Sequence, residues 1–162
     1  MPLGEPLKSR IMDKKDRDIL MLLQENGRET LTEIAKKVNL SIDSVNNRLK
    51  ALISKGVFTP GIFIDPRAIG FALIVDVKIK LQNISVEEKE RFIAHLAAHP
   101  RIINLLSITG RFDFLCTIVA KDANEFERVS TEFRNKYREA IVDWETTLIL
   151  KTHKLEQYDL TM

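Results

Sequence analysis

The chain has a single cysteine, Cys116, among 162 residues. An intrachain disulfide is therefore excluded, and a reducing cytoplasm suits the chain. Cys116 stands inside an apolar run, which predicts a core position rather than a reactive thiol. No apolar run approaches the ~18–20 residues of a membrane span, so no membrane partner is expected. The opening MPLGEPLKSRIM has no apolar h-region, which reads against a secretory signal and for a cytoplasmic protein. There is no phosphate-binding glycine loop and no nucleophile motif. Glu87, Glu88 and Glu90 cluster at a helix start, where they suit the helix dipole better than acid/base catalysis. His95 and His99 have i, i+4 spacing, but no third ligand is evident and no metal is expected. No catalytic residues and no cofactor are expected, and the chain reads as a non-enzyme. Charge of one sign is also scarce, with 25 Lys+Arg against 23 Asp+Glu.

What is present begins at residues 29–56. Thr30 and Glu33 have capping-box spacing, so a helix should start there. Leu31, Ile34, Ala35 and Val38 then recur at i, i+3, i+4 and i+7, one apolar stripe. Asn39 stops that helix, because Asn tolerates a left-handed backbone. Leu40 can plug the turn, and Ser41 is a natural N-cap for a second helix. Val45, Leu49, Leu52 and Ile53 form the second stripe, and Gly56 ends it. Ala35 supplies the small side chain that two steeply crossing helices need at their contact. The pattern is a helix-turn-helix, whose second helix lies in the major groove.

At about 100° per residue, the face opposite the second stripe holds Asp43, Ser44, Asn47, Lys50 and Ala51. Asn46 and Arg48 fall on its flanks. Asn47 suits bidentate contact with adenine, and Arg48 and Lys50 suit guanine or phosphate. Asp43 can accept from cytosine N4 or help cap the helix. The DNA-binding set is therefore Ser41, Asp43, Ser44, Asn46, Asn47, Arg48 and Lys50, with double-stranded DNA as the partner. A solvated polar face is the plain alternative. Residues 1–60 hold 11 Lys+Arg against 8 Asp+Glu, and residues 61–162 hold 14 against 15. The modest positive excess lies with the helix-turn-helix, and several copies per particle would strengthen its binding by avidity.

Residues 1–12 read as an N-terminal arm. Asp13 can cap a first helix, with Ile19, Leu22 and Leu23 on its apolar face and Gly27 closing it. Residues 13–57 then make a winged-helix-like head. Residues 58–70 read as a wing or extended linker. Residues 71–154 show strand, helix, strand, strand, helix, strand. Phe71 to Leu81 alternate with Asp76, Lys78 and Lys80; Ser85 and Glu88 cap a helix; residues 102–109 and 112–120 are strands about Gly110-Arg111; Asp122 and Glu125 start a helix; residues 142–150 form the last strand. The fold class is α+β, a helix-turn-helix head plus a ferredoxin-like βαββαβ domain. Both helices should cover one sheet face. The other face should be moderately apolar and pack on another copy. Residues 155–162 read as a C-terminal tail.

This order resembles the Lrp/AsnC (feast/famine) family of transcriptional regulators. The resemblance covers about residues 13–154 and rests on LTEIAKKVNLSIDSVNNRLKALISKGVF, IDPRAIGF, the TGRFD segment and TLILKTHK. The family usually carries Gly at the interhelix turn, where this chain has Asn39. The resemblance implies a homodimer through the C-terminal domains, often assembled into an octamer, and a small effector, usually an amino acid, bound between those domains. Such a site couples ligand binding to assembly. On this chain it implies effector contacts at Thr109, Gly110, Arg111, Asp113 and Thr146. Gly110 would let backbone N–H groups approach a carboxylate, and Asp113 could hold an ammonium. The plain alternative is a polar β-turn whose Asp113 bonds backbone amides. Trp144 stands where amino-acid-binding members often have a small polar residue and could reshape the pocket. The rival reading from another class is a sirohaem-decarboxylase-like enzyme, which would need converging His and Arg residues; the helix-turn-helix stretch contains no His. A third reading is a helix-turn-helix that recruits a protein partner.

Overall fold

A computed structural model describes residues 12–161, so the arm expected over residues 1–12 lies almost wholly outside the described residues. The chain divides into two compact units. One runs up to Ile62 and takes back the segment from Lys154; the other is Phe63–His153.

The first unit is built from Lys14–Glu25 (α1), Leu31–Val38 (α2) and Ile42–Ser54 (α3). Each starts on the side chain that the spacing predicts. Asp13 and Asp16 form a capping box on α1, Thr30 and Glu33 one on α2, and Ser41 accepts the Ser44 N–H at the start of α3. Asn39 adopts φ 53°, ψ 61°, the left-handed corner that turns α2 into α3. Ile19, Ile34, Ala35, Val38 and Val45 are buried together. Two expectations change. Glu25 is the last residue of α1 and Asn26 its cap, so Gly27 follows the end rather than making it. Ile53 is 43% exposed, because it lies at the edge of the stripe that buries Val45 and Leu52. Residues 57–64 contain no strand, so of the two alternatives there the linker and not the wing describes the stretch.

The segment from Lys154 returns to α1. The Gln24 side chain donates to the Tyr158 carbonyl at 3.1 Å and accepts the Tyr158 N–H at 2.9 Å. One amide thus satisfies both backbone groups of a residue in an otherwise irregular stretch.

The second unit opens with a short 3₁₀ turn, Pro66–Ile69, capped by Asp65. Then come Leu73–Leu81 (β1), Val86–Ala98 (α4), Ile102–Ser107 (β2), Phe114–Ala120 (β3), Ala123–Lys136 (α5) and Ile141–Leu148 (β4). The sheet order is β2-β3-β1-β4 with antiparallel neighbours, the ferredoxin-like arrangement. The strands around Gly110 are shorter than the sequence pattern suggests, because residues 108–113 peel off into the connecting hairpin. Val75, Val77, Ile79, Phe114, Cys116 and Ile118 meet Phe92 and Leu96 of α4 and Val129 and Phe133 of α5 in one core. Burial pushes the Cys116 thiol up to about 12, with the Asp76 charge adding to it.

The sequence predicts a moderately apolar face on the other side of the sheet. The register puts Asp76, Lys78, Lys80, Thr117, Asp143 and Glu145 there, alongside Ile74, Val119, Leu106 and Leu115. Lys78 pairs with Glu145 at 2.7 Å, and Thr117 donates to Asp76 at 2.7 Å. The face away from the helices is therefore mixed, with paired polar residues beside the apolar Ile74, Val119, Leu106 and Leu115. Among the described residues, no helix is long and apolar enough to cross a membrane.

Candidate nucleic-acid interface and effector hairpin

Helix α3 presents its polar face because its apolar stripe is used up. Val45 and Leu52 are buried, and Leu49 packs against the same core. Asp43, Asn47, Lys50 and Ala51 are exposed, and Ser44, Asn46 and Arg48 are half-buried. Among the described residues, nothing hydrogen-bonds or ion-pairs with the side chains of Asn47 or Lys50. Their polar atoms remain available to a base edge or a phosphate.

Two residues of the expected set are committed inside the head. Ser41 spends its hydroxyl on the N-cap of α3, accepting from the Ser44 N–H at 3.1 Å. Arg48 reaches back to α1, where its Nη1 lies 2.6 Å from Asp13 Oδ2 and 2.8 Å from Asp16 Oδ1. The bonds to Asp16 and Asp13 raise the Arg48 pKa. Asp13 is correspondingly lowered, first by the Asp16 N–H that it caps and then by Arg48.

In the second unit, the β2–β3 hairpin closes through Ile108 N–H to the Asp113 carbonyl at 2.9 Å. Gly110 sits at φ +118°, a backbone that side chains rarely adopt, and the space around it is open. Arg111 donates to Asp143 at 2.8 Å and lies over the Phe112 ring at 4.9 Å. Asp113 accepts the Leu81 N–H at 2.8 Å and Lys80 Nζ at 3.2 Å. Burial raises its pKa, but the Leu81 N–H and Lys80 outweigh it and leave the carboxyl below its ordinary value. The result is an alternating cluster of Lys80, Asp113, Arg111 and Asp143 at one end of the sheet.

A model described as winged helix-turn-helix DNA-binding matches residues 12–59. A second, described as the Lrp/AsnC ligand binding domain, matches residues 74–158. The chain belongs to the Lrp/AsnC family of transcriptional regulators. The DNA-binding transcriptional activator DecR of Escherichia coli (strain K12) is 30% identical over 118 residues, 72% of this chain and 78% of that protein. An AsnC family transcriptional regulator from Agrobacterium tumefaciens superposes with TM-score 0.82 at 25% identity, over 92% of this chain and 97% of the other. A transcriptional regulator from Neisseria meningitidis, solved as an L-Met complex, gives TM-score 0.79 at 26% identity, over 89% and 93%.

In this Lrp/AsnC regulator the residues expected at the effector site do not all come together. Thr109, Gly110, Arg111 and Asp113 share one hairpin. Thr146 pairs with Val77, whose side chain is in the core, so Thr146 points to the helix-bearing side of the sheet. The β4 residue that meets the hairpin is Asp143. Trp144 also turns to the helix side, where it packs against the core, opposite in direction to Asp143. Sequence reading missed Asp143 and Lys80 as members of the cluster. The alternation of Asp76, Lys78 and Lys80 on β1 was the available signal for Lys80; nothing local marks Asp143.

Proposed function

We propose that this regulator reads duplex DNA with the outer face of α3, pairs through its ferredoxin-like unit into a homodimer that can assemble further, and answers to an amino-acid-like effector at the 109–113 hairpin. The observation that carries the DNA reading is the uncommitted outer row of α3, with Asn47 at its centre and Lys50 one turn on. Asn47 addresses adenine, and Lys50 addresses guanine or phosphate. Ser44, Asn46 and Asp43 contribute around them, and Ser41 acts as the cap. Two heads in a dimer would enter successive major grooves about one helical turn apart or a multiple of it.

The hairpin supports a zwitterionic ligand. The space where a side chain at Gly110 would stand is open, which lets a carboxylate approach the backbone, and the alternating charges offer partners for both ends of an amino acid. The L-Met complex of the Neisseria relative supports that ligand class. An effector carboxylate would compete with Asp143 for Arg111. The site is proposed without Thr146. The apolar patch at Leu106 and Leu115 supports pairing of the uncovered sheet face with a second copy.

Fluorescence anisotropy tests the whole reading. The purified protein is titrated against its own upstream DNA and a random duplex, across a salt series, with and without pooled amino acids. Tighter binding to the upstream DNA that shifts on adding amino acids is expected. Identical weak binding to both duplexes, unmoved by amino acids, would overturn it.

A further inference from the structure

Sequence reading places Arg48 among the groups that touch DNA. The structure assigns it a different role: we propose that Arg48 is a positioning residue, which locks the recognition helix α3 onto the first turn of α1 and so sets the angle at which Asn47 and Lys50 are presented. The inference rests on the reading of α3 as the DNA-contacting helix.

The geometry is specific. One guanidinium nitrogen meets two carboxylates, Asp13 at 2.6 Å and Asp16 at 2.8 Å. Those carboxylates are themselves fixed, because Asp13 accepts the Asp16 N–H at 2.9 Å while Asp16 accepts the Asp13 N–H at 3.1 Å. Arg48 therefore grips a capping box, not two mobile side chains. The Asp16 side chain is only 14% exposed and that of Arg48 30%, so the pair is partly withdrawn from solvent. The same turn of α1 also sends Lys15 to the carbonyl of Val38, the last residue of α2. The first turn of α1 thus ties both sides of the Asn39 corner, α2 through Lys15 and α3 through Arg48. On the helical wheel Arg48 lies on the α1 flank, about 100° away from Asn47. Its Nη1 is taken by two anions, so the charge that would neutralise a phosphate is already met.

The two roles predict opposite signs for neutralising the carboxylates. If Arg48 positions α3, Asp16→Asn and Asp13→Asn loosen the recognition helix and weaken DNA binding, although each removes a negative charge from a DNA-binding head. If Arg48 is a phosphate ligand, the same variants free it and tighten binding. Asn at residue 13 keeps the N-cap, which separates charge from capping. The experiment uses the full chain and a duplex selected from a random pool by the wild type. Binding is measured across a salt series for wild type, D13N, D16N, R48A and R48A/D16N, with far-UV circular dichroism checking that each head is folded. R48A and D16N are each expected to weaken binding about 3- to 10-fold, with the double variant no weaker than R48A alone. The salt slope should stay at the wild-type value. Tighter binding by D13N and D16N, multiplying losses in the double variant, or a slope about 1 unit shallower in R48A would overturn the assignment. Failure of the wild type itself to prefer any selected duplex would instead overturn the DNA reading of α3 and the Arg48 role with it.

Discussion

Asn39 and Asn47 use the same side chain in two unrelated ways. Asn39 is needed for its backbone, because the left-handed corner at φ 53° crowds any residue with a Cβ and is eased for Asn by local hydrogen bonding. Asn39→Ala should cost the head about 1 kcal/mol, while Asn39→Gly should hold it near wild type; denaturant midpoints followed by far-UV circular dichroism would show the difference. The Asn47 amide is exposed, and its proposed use is base reading. Asn47→Ala is expected to cost ~1–3 kcal/mol on a matched duplex and almost nothing on random DNA. Equal losses on both would sink its assignment as a base reader. The Asn39 corner was legible in the sequence from its place between two apolar stripes, and the exposure of Asn47 from its angle on the second helix. Arg48 was legible as a polar flank residue but not as an ion-pair partner, because Asp13 and Asp16 lie over thirty positions away and nothing local points to them.

At the scale of elements, what the sequence revealed followed how local each signal is. Capping boxes act over three residues, and those at Thr30 and Ser85 start α2 and α4 where the spacing predicts. The charge pairs on the sheet face away from the helices were not legible, because they depend on which of the four strands lie side by side. Lys78 and Glu145 meet only because β4 lies beside β1. The α4–α5 contact carries a pH dependence of the same tertiary origin. His95 accepts a hydrogen bond from, or donates one to, the Tyr137 hydroxyl at 3.0 Å, and its ring lies 5.1 Å from that of Phe133. Burial lowers its pKa first, then the positive charge of Lys136; Glu132 pulls the other way, and His99 adds to the lowering. A histidine lowered in the folded state is protonated first in the unfolded chain. Stability of the second unit should therefore be full above the ordinary histidine range and fall as pH drops through ~6.5, levelling once the folded protein also takes up the proton. Urea midpoints read by tryptophan fluorescence across that range check it, and His95→Gln should flatten the trend.

The two units report their integrity through different probes. Trp144 is the only tryptophan and Cys116 the only cysteine, and both belong to Phe63–His153. Cys116 is fully buried and its thiol is pushed up to about 12, so little reactive thiolate exists in the folded protein. Its modification by a thiol reagent should wait for the second unit to open, at a rate that tracks the Trp144 transition. The first unit contains neither probe and is followed by the part of the helical circular dichroism that changes apart from the Trp144 transition, since α4 and α5 also contribute to that signal. Comparing the two signals tests the returning C-terminal segment, whose attachment through Gln24 and Tyr158 closes a head otherwise made of three short helices. The sequence marks residues 155–162 as a tail, because nothing in their composition announces that a glutamine of α1 will meet their backbone. Deleting residues 154–162 removes two hydrogen bonds that contribute, net of solvent, about 0.5–1.5 kcal/mol each when well shielded and less where exposed. Both bonds are exposed, so the head transition should shift to lower denaturant by less than the shielded value, while the Trp144 midpoint and the onset of Cys116 labelling stay in place. Gln24→Ala, which leaves the tail but removes its clasp, should reproduce most of the head shift. A truncation that moves the Trp144 transition and spares the helical one would show that the segment stabilises the second unit instead.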